Sequence, residues 1–502
     1  MKLKKAKTTV YWLLFFVSSI IMLIALFGAL GEERVCITDE ATHGMNAYEM
    51  IQNGNIWINT LGYNVDYYNS KPPLMIWLIM LGYKLCGYNP LGLRISSAVS
   101  GLIIYIVAFI FSYKNQGKKQ ALVFAAFLPA CELLFSFHMF RSGDMDSLYT
   151  LWFLLGVIAL YYAYNNINFM IFYGVALGLA FMTKSIHAVL FLAVGIIYII
   201  ILKNRYKVSR IIKYYGLALL ASVIVIFPWA IVRYRFDGLR FFQQMLFGET
   251  FTRLQNNSVK DSFLYILYFR SFQKMPIGTF SLFIFAISLL IFFCLNRHNP
   301  WASVKKIIFK PYFFLMLSWF VIIFGAYSIT KSELDWYVYS AYIPLLLLTA
   351  ESVNYIVSKS SNIHKYFSLI IYLVIIILAF KFSTDSIKAY SWEKNYDDPE
   401  IAFQSVLEKL DKDYPGEYDK CNVYVENTHN VSNDQDKWDH TYVFYVYTTI
   451  GGYSKDGGVE KFLAEESPQT ILILDKELWG EYGHLLSQVK LLEDGKYMIF
   501  AK

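Results

Sequence analysis

Residues 38–78, TDEATHGMNAYEMIQNGNIWINTLGYNVDYYNSKPPLMIWL, decide how the rest of the chain is laid out. Thr38 reads as an N-cap and Asp39-Glu40 as first-turn acids, while Ala41, Met45, Tyr48 and Ile51 recur at helical spacing, so a helix is expected from Thr38 to Gly54. After Lys71-Pro72-Pro73 comes an apolar run from Leu74 to Gly87. Its length of about fourteen residues falls short of the ~20 that cross a hydrocarbon core, so it is expected to lie along the interface. That choice sets the side on which every later loop falls.

Working outward, the 502 residues are 56% hydrophobic and 18% aromatic, with a mean hydropathy of +0.40. These values exclude a soluble globular protein of this size. Apolar runs of roughly 17 to 22 residues predict eleven membrane spans, at about 11–30, 91–113, 120–137, 146–164, 168–183, 185–202, 211–232, 275–295, 311–329, 337–357 and 365–383. With the Leu74 run not crossing and the basic N-terminus cytoplasmic, one side collects Lys2, Lys4, Lys5, Lys7, then Lys114, Lys118, Lys119, then the 203–213, 297–310 and 359–365 segments. Those segments hold 18 basic residues and no Asp or Glu, which is the one-sided distribution expected of cytoplasmic loops. Counting the Leu74 run as a crossing would scatter them over both sides. The N-terminal apolar stretch is too long for a signal peptide and lacks a small-residue cleavage site, so a signal-anchor span is expected.

The composition changes after the last span. Residues 385–502 carry 23 acidic and 12 basic residues, a net of −11, against +18 for the remainder. The expected organisation is therefore a mainly α membrane domain, 1–384, and a soluble α/β domain, 385–502, placed outside by the odd number of spans. Asp398-Pro399 should open a helix with Ala402, Phe403, Val406, Leu407 and Leu410 on one face. Strands are expected at Cys421–Thr428, Tyr442–Thr449, Thr470–Leu474 and Tyr497–Phe500. The five cysteines make no disulfide framework, and there is no nucleotide-binding glycine loop, zinc spacing or solenoid repeat. No nucleic-acid partner is expected.

This topology places on the outer side Asp39 and Glu40; Arg141, Asp144 and Asp146; Lys184; Glu249 and Arg253; and Lys331, Glu333 and Asp335, each group from a different loop. Each has an ordinary structural use: first-turn acids, a helix cap at 141–146, a snorkelling Lys184, a loop end at Lys71. What those uses leave unexplained is why all of them lie on one side of the membrane.

The 38–78 stretch resembles the first outer loop of polytopic GT-C glycosyltransferases, the aminoarabinose-transferase and protein-O-mannosyltransferase superfamily. The segments FRSGDMDSLYTLWFLL, FMTKSIHAVL, FPWAIVRY, FGETFTRL and ITKSELDWYVYSAYIPLLLL follow in matching order, so the resemblance spans roughly residues 10–380. It implies a GT-C type helical bundle with interfacial helices in the first outer loop, and transfer of a sugar from a polyprenyl phosphate to an extracytoplasmic acceptor. Carried over by motif, Asp39 matches the acid proposed to act on the acceptor and Asp146 the second acidic position. Lys71 and Arg253 match bases near the donor phosphate, and Lys184 and Lys331 further basic positions. Glu40, Arg141, Asp144 and Glu249 complete the expected substrate-binding set. Relatives that modify lipid A often carry Glu before Lys-Pro and His soon after Gly-Glu. This chain has Ser70 and Thr250 there, so neither a divalent metal held by those side chains nor transfer to lipid A follows from the resemblance.

The residue types fit this chemistry independently. A leaving phosphate calls for cations such as Lys71, Lys184 and Arg253, and an acceptor hydroxyl calls for a carboxylate base, for which Asp39 is the candidate. The donor carries its own leaving group, so no nucleotide site is needed. Partners are then the lipid-linked sugar, membrane lipids and the acceptor, and the expected location is a bacterial cytoplasmic membrane. The competing reading is a transporter or flippase, which calls for mid-span charges, paired helix breaks and internal symmetry. The acids inside expected spans are Glu132, Asp146 at the very start of its span, and Glu351, and the two halves do not repeat. A scaffold that binds partners through its acidic outer domain leaves the clustered charges unexplained.

Overall fold

In hydrocarbon a backbone satisfies its N–H and C=O groups only within its own segment, so the apolar runs must fold as helices. The computed structural model describes every residue except 1, 36–37, 68, 137, 249–271, 274, 330–333, 362–363, 389, 391–394 and 429–438. The first nine helices are α1 (Lys2–Phe27), α2 (Thr38–Asn53), α3 (Leu74–Cys86), α4 (Pro90–Asn115), α5 (Lys118–Phe127), α6 (Asp146–Ala163), α7 (Phe169–Lys184), α8 (Ala188–Leu202) and α9 (Val208–Asp237). Nine helical segments among the described residues are long and apolar enough to cross a membrane; the last four are Pro276–Leu295, Pro311–Ser328, Asp335–Ser361 and Tyr366–Lys388. The 13-residue α3 is too short to count among them.

Two places differ from a simple reading of eleven spans. The segment Phe169–Leu202 turns back on itself at a 3-10 turn, Ser185–His187. The Tyr173 hydroxyl donates to the Phe191 carbonyl at 3.2 Å, whereas a straight helix would hold residues 18 apart about 27 Å from each other. This one segment therefore supplies the two arms expected at 168–183 and 185–202. The expected span at 120–137 is instead α5 followed by 3-10 turns at Leu128–Ala130 and Glu132–Phe135. Gln120–Phe127 are all buried, packed among α1 and the helices Tyr342–Ser361 and Lys365–Lys388. Protein surrounds this helix, and that makes it as apolar as one facing lipid.

The chain divides into two compact units. The first comprises Met1–Gly28, Ser70–Leu74 and Ser97–Tyr390. In it α7 packs between α6 and α9, close enough to α9 that a Cβ on Gly174 would lie 2.0 Å from the Ala218 carbonyl oxygen. Small residues permit such approach between apolar helices.

The second unit comprises residues 29–69, 75–96 and 391–502. Its first part carries α2, α3 and a two-stranded hairpin of β1 (Thr60–Leu61) and β2 (Asn64–Val65). Its C-terminal part holds β3 (Asn422–Glu426), β4 (Tyr453–Lys455), β5 (Thr470–Asp475), β6 (Lys490–Asp494) and β7 (Tyr497–Ala501) in the order β4-β3-β5-β7-β6. The β3 pairings with β4 and β5 are parallel, with Val423 opposite Ile471, and those of β7 are antiparallel, with Ile473 opposite Ile499. Leu472, Leu474, Met498 and Phe500 pack on Val459 and Phe462 of the helix Gly458–Ala464. Asp398 caps the expected helix, Pro399–Asp413, by accepting from the Glu400 amide.

One expected strand is a helix. Residues 442–449 lie within His440–Ile450, capped by the Asp439 carboxylate on the Thr441 amide and ended by Gly451 at φ 62°. The run is rich in Val, Tyr and Thr because both its sides are covered, by α2 and by the helix Pro399–Asp413. Tertiary burial overrides the strand propensity. Helix α2 is likewise buried along Glu40–Met50 and not on a single stripe.

Candidate active site

Asp146 opens α6 and Lys184 closes α7, placements that complement the dipoles of both helices. Because the two helices pack side by side, the Lys184 ammonium reaches the Asp146 carboxylate at 2.5 Å, with side chains 7% and 11% exposed. The ammonium also lies 5.5 Å from the centroid of the Tyr337 ring. A lysine has three donors, and among the described residues Asp146 is its hydrogen-bond partner. Among the described residues the ammonium thus keeps donors for a further partner.

The next residue, Ser185, is buried at φ 43°, in the left-handed region that disfavours side chains. Strain of this kind persists where the surroundings enforce it, commonly at functional sites. Two residues on, the His187 Nδ1 contacts the Lys184 carbonyl at 3.1 Å, and the Tyr149 hydroxyl donates to the His187 carbonyl at 2.9 Å. The His187 ring centroid lies 6.0 Å from that of Tyr327 and 5.9 Å from that of Tyr337.

A second buried group stands two residues before Asp146. The Asp144 carboxylate accepts from the Ser142 hydroxyl and pairs with His138 Nδ1 at 3.2 Å. The imidazole stacks on Trp336 with centroids 3.9 Å apart, and His138 itself has φ 60°. Arg141 turns elsewhere. Its guanidinium donates to the Ala25 and Gly28 carbonyls at the end of α1, at 3.1 and 2.7 Å, and lies 4.3 Å from the Tyr390 centroid. It satisfies a helix C-terminus.

The first unit thus contains Asp144, Asp146, Arg141 and Lys184, together with half-buried Lys71. Asp39 and Glu40 belong to the second unit. There Glu40 is buried and held by Arg94 at 2.8 and 3.1 Å. Glu249, Arg253 and Lys331 lie outside the described residues, as does Thr250. Ser70 is fully buried, and its neutral hydroxyl is a poor substitute for a carboxylate on a divalent cation. Serine and threonine hydroxyls at these two positions are weaker ligands for a divalent cation than a carboxylate and an imidazole.

Sequence reasoning missed His138, His187, Trp336 and Tyr337 as members of these groups. His187 and the two aromatics fall inside the quoted motifs, where the neighbouring charges drew attention. His138 had one signal, a polar ring three residues ahead of Arg141 in an apolar loop.

The family described as dolichyl-phosphate-mannose-protein mannosyltransferase matches residues 70–231. An uncharacterised protein of Aquifex aeolicus is 26% identical over 371 residues, 72% of this chain and 69% of that protein. The undecaprenyl phosphate-alpha-4-amino-4-deoxy-L-arabinose arabinosyl transferase of Pseudomonas savastanoi pv. phaseolicola is 26% identical over 341 residues, 66% of this chain and 59% of its own length. The chain therefore matches less than two thirds of that transferase. Among solved structures, ArnT from Cupriavidus metallidurans bound to undecaprenyl phosphate aligns with a TM-score of 0.64 over 98% of both chains, at 15% identity, a likeness of fold. The family match over residues 70–231, these relatives and the common fold support a membrane glycosyltransferase similar to the GT-C, or protein-mannosyltransferase, superfamily.

Proposed function

We propose that the chain moves a sugar from a polyprenyl phosphate to an acceptor on the extracytoplasmic face of a bacterial cytoplasmic membrane. The observation that carries this reading is the buried Asp146–Lys184 pair, whose ammonium keeps donors for a further anion. The bond from the anomeric carbon to the phosphate oxygen breaks, and its electron pair stays on the phosphate. Lys184, Lys71 and Arg253 stabilise that departing charge. Asp39 takes the proton of an acceptor hydroxyl, a role typically worth ~10² to 10⁴ in rate. Asp146 orients the acceptor or supports positive charge on the sugar ring. Support for the donor class comes from the fold match to a transferase crystallised with undecaprenyl phosphate. The one-sided basic loops support a cytoplasmic N-terminus and an extracytoplasmic C-terminal domain.

The test is an assay of purified protein in detergent with a panel of radiolabelled polyprenyl-phosphate sugars, native chain against Asp39→Asn. Release of polyprenyl phosphate by the native chain, lost in the variant, supports transfer to a hydroxyl. A mild loss points to an acceptor phosphate, which needs no base. No turnover with any donor, in protein that is folded and binds polyprenyl phosphate, overturns the reading.

A further inference from the structure

We propose that His187 is a catalytic residue that gives a proton to the phosphate leaving group. This rests on the transferase reading above. A carbonyl oxygen only accepts hydrogen bonds, so the 3.1 Å contact with Lys184 requires the hydrogen to sit on Nδ1. The neutral ring then carries its lone pair on Nε2, and the protonated ring carries its transferable proton there.

The imidazole is held from several directions. Tyr149 anchors its backbone carbonyl, Lys184 its Nδ1, and Tyr327 and Tyr337 flank its ring. It remains half-buried. Among the described residues, the titratable groups on the elements near it include Lys184 on α7, Asp146 and Tyr149 on α6, Tyr327 on the helix Pro311–Ile329, and Tyr337 and Asp335 on the turn Asp335–Ala341. The turn Gln244–Gly248, which also packs against 185–187, carries none. Strained Ser185 fixes the spacing between the lysine that meets the phosphate and the histidine beside it.

A phosphate monoester takes up its second proton near pH 6, close to imidazole at ~6.5. As the bond from C1 to the phosphate oxygen breaks, its electron pair stays on the phosphate and the Nε2 proton moves there. The acceptor oxygen bonds to C1 and its proton goes to the carboxylate base. Afterwards the base releases a proton to water and the imidazole takes one up.

The experiment compares native protein, His187→Asn and His187→Gln in the lipid-linked-sugar assay across pH. Asparagine keeps a donor for the Lys184 carbonyl but has nothing at Nε2; glutamine places an amide there that cannot transfer a proton. The expected result is a fall in kcat of about 10²-fold in both variants, with the KM for donor and the binding of undecaprenyl phosphate retained. The native rate should fall at high pH as the ring loses its proton, and the variants should lose that limb. Activity within twofold of native in either variant, or a native rate flat between about pH 5 and 8, overturns the inference. No turnover by the native chain removes the transferase reading and this inference with it, whereas native turnover that survives both substitutions removes this inference alone.

Discussion

Each unit buries carboxylates against bases, and two of these pairs, Glu40–Arg94 and Asp146–Lys184, are built differently. In the second unit, all five N–H groups of Arg94 are used: two on Glu40 and the others on the carbonyls of Leu30, Glu33 and Arg34. The planar guanidinium matches both carboxylate oxygens and ties the segment after α1 to the start of α4. In the first unit, the Lys184 ammonium is a point charge with one hydrogen-bond partner among the described residues. A saturated pair holds structure; one whose ammonium has a single hydrogen-bond partner among the described residues keeps donors for an anion. The saturated pair was expected to bind substrate through Glu40, and geometry gives that carboxylate a clamping task instead.

The largest effect should come from breaking the saturated pair. Arg94→Met leaves Glu40 buried without its cation and should destabilise by about 3–5 kcal/mol, read as a collapse of the melting temperature in detergent. A variant that melts like native would show that the clamp is not structural. Next, Lys184→Met should lower kcat/KM for sugar release by about 10²-fold, the size typical of losing one donor to developing negative charge, with a smaller fall in melting temperature than Arg94→Met. If Lys184→Met unfolds the protein as Arg94→Met does, the distinction between the pairs fails.

Glu49 is a buried carboxylate with hydrogen bonds but, among the described residues, no paired cation. Its amide partner is Tyr63, at 2.9 Å. Burial raises its pKa above the ordinary 4.5, against the lowering effect of hydrogen bonds from Thr60, Tyr63, Tyr447 and Gly62. The folded chain therefore holds this proton more tightly than the unfolded one. The resulting stability is complete below about pH 4.5 and is lost as pH rises through the raised value. Glu49→Gln should flatten that part of the melting-temperature profile, and an unchanged slope would assign the pH dependence elsewhere. The smallest effect belongs to the surface of the same unit. Asp398→Ala removes the cap of the helix Pro399–Asp413 and a 3.0 Å contact with half-exposed Arg34. It should cost about 1 kcal/mol, seen as a small shift in chemical denaturation with activity kept.

Much of the fold was legible because a bilayer imposes length. An apolar run near 20 residues reads as a helix, and the 13-residue α3 correctly stood apart. In the 120–137 region a ten-residue helix and two 3-10 turns stand where one continuous helix was expected, and a helix enclosed by other helices has the same hydropathy as one enclosed by lipid. The run 442–449 misled in a related way, since Val, Tyr and Thr suit any surface covered on both sides. At the site, Asp146 and Lys184 were legible as charges at helix ends in an otherwise apolar chain. Their pairing was not, because 38 residues separate them and only the packing of α6 on α7 closes that distance.

The sequence by itself determined that this is a polytopic membrane protein, which superfamily it resembles, and which charged residues are too costly in hydrocarbon to be there without purpose. Hydropathy, helix-end signals and motif order are local properties of the chain, and those conclusions needed nothing more. Only the tertiary structure decided which base each carboxylate meets, that Arg141 closes α1, and that His138 and His187 are held against Trp336, Tyr327 and Tyr337. Those outcomes depend on short-range contacts between segments far apart in the chain, where one ångström separates a hydrogen bond from none.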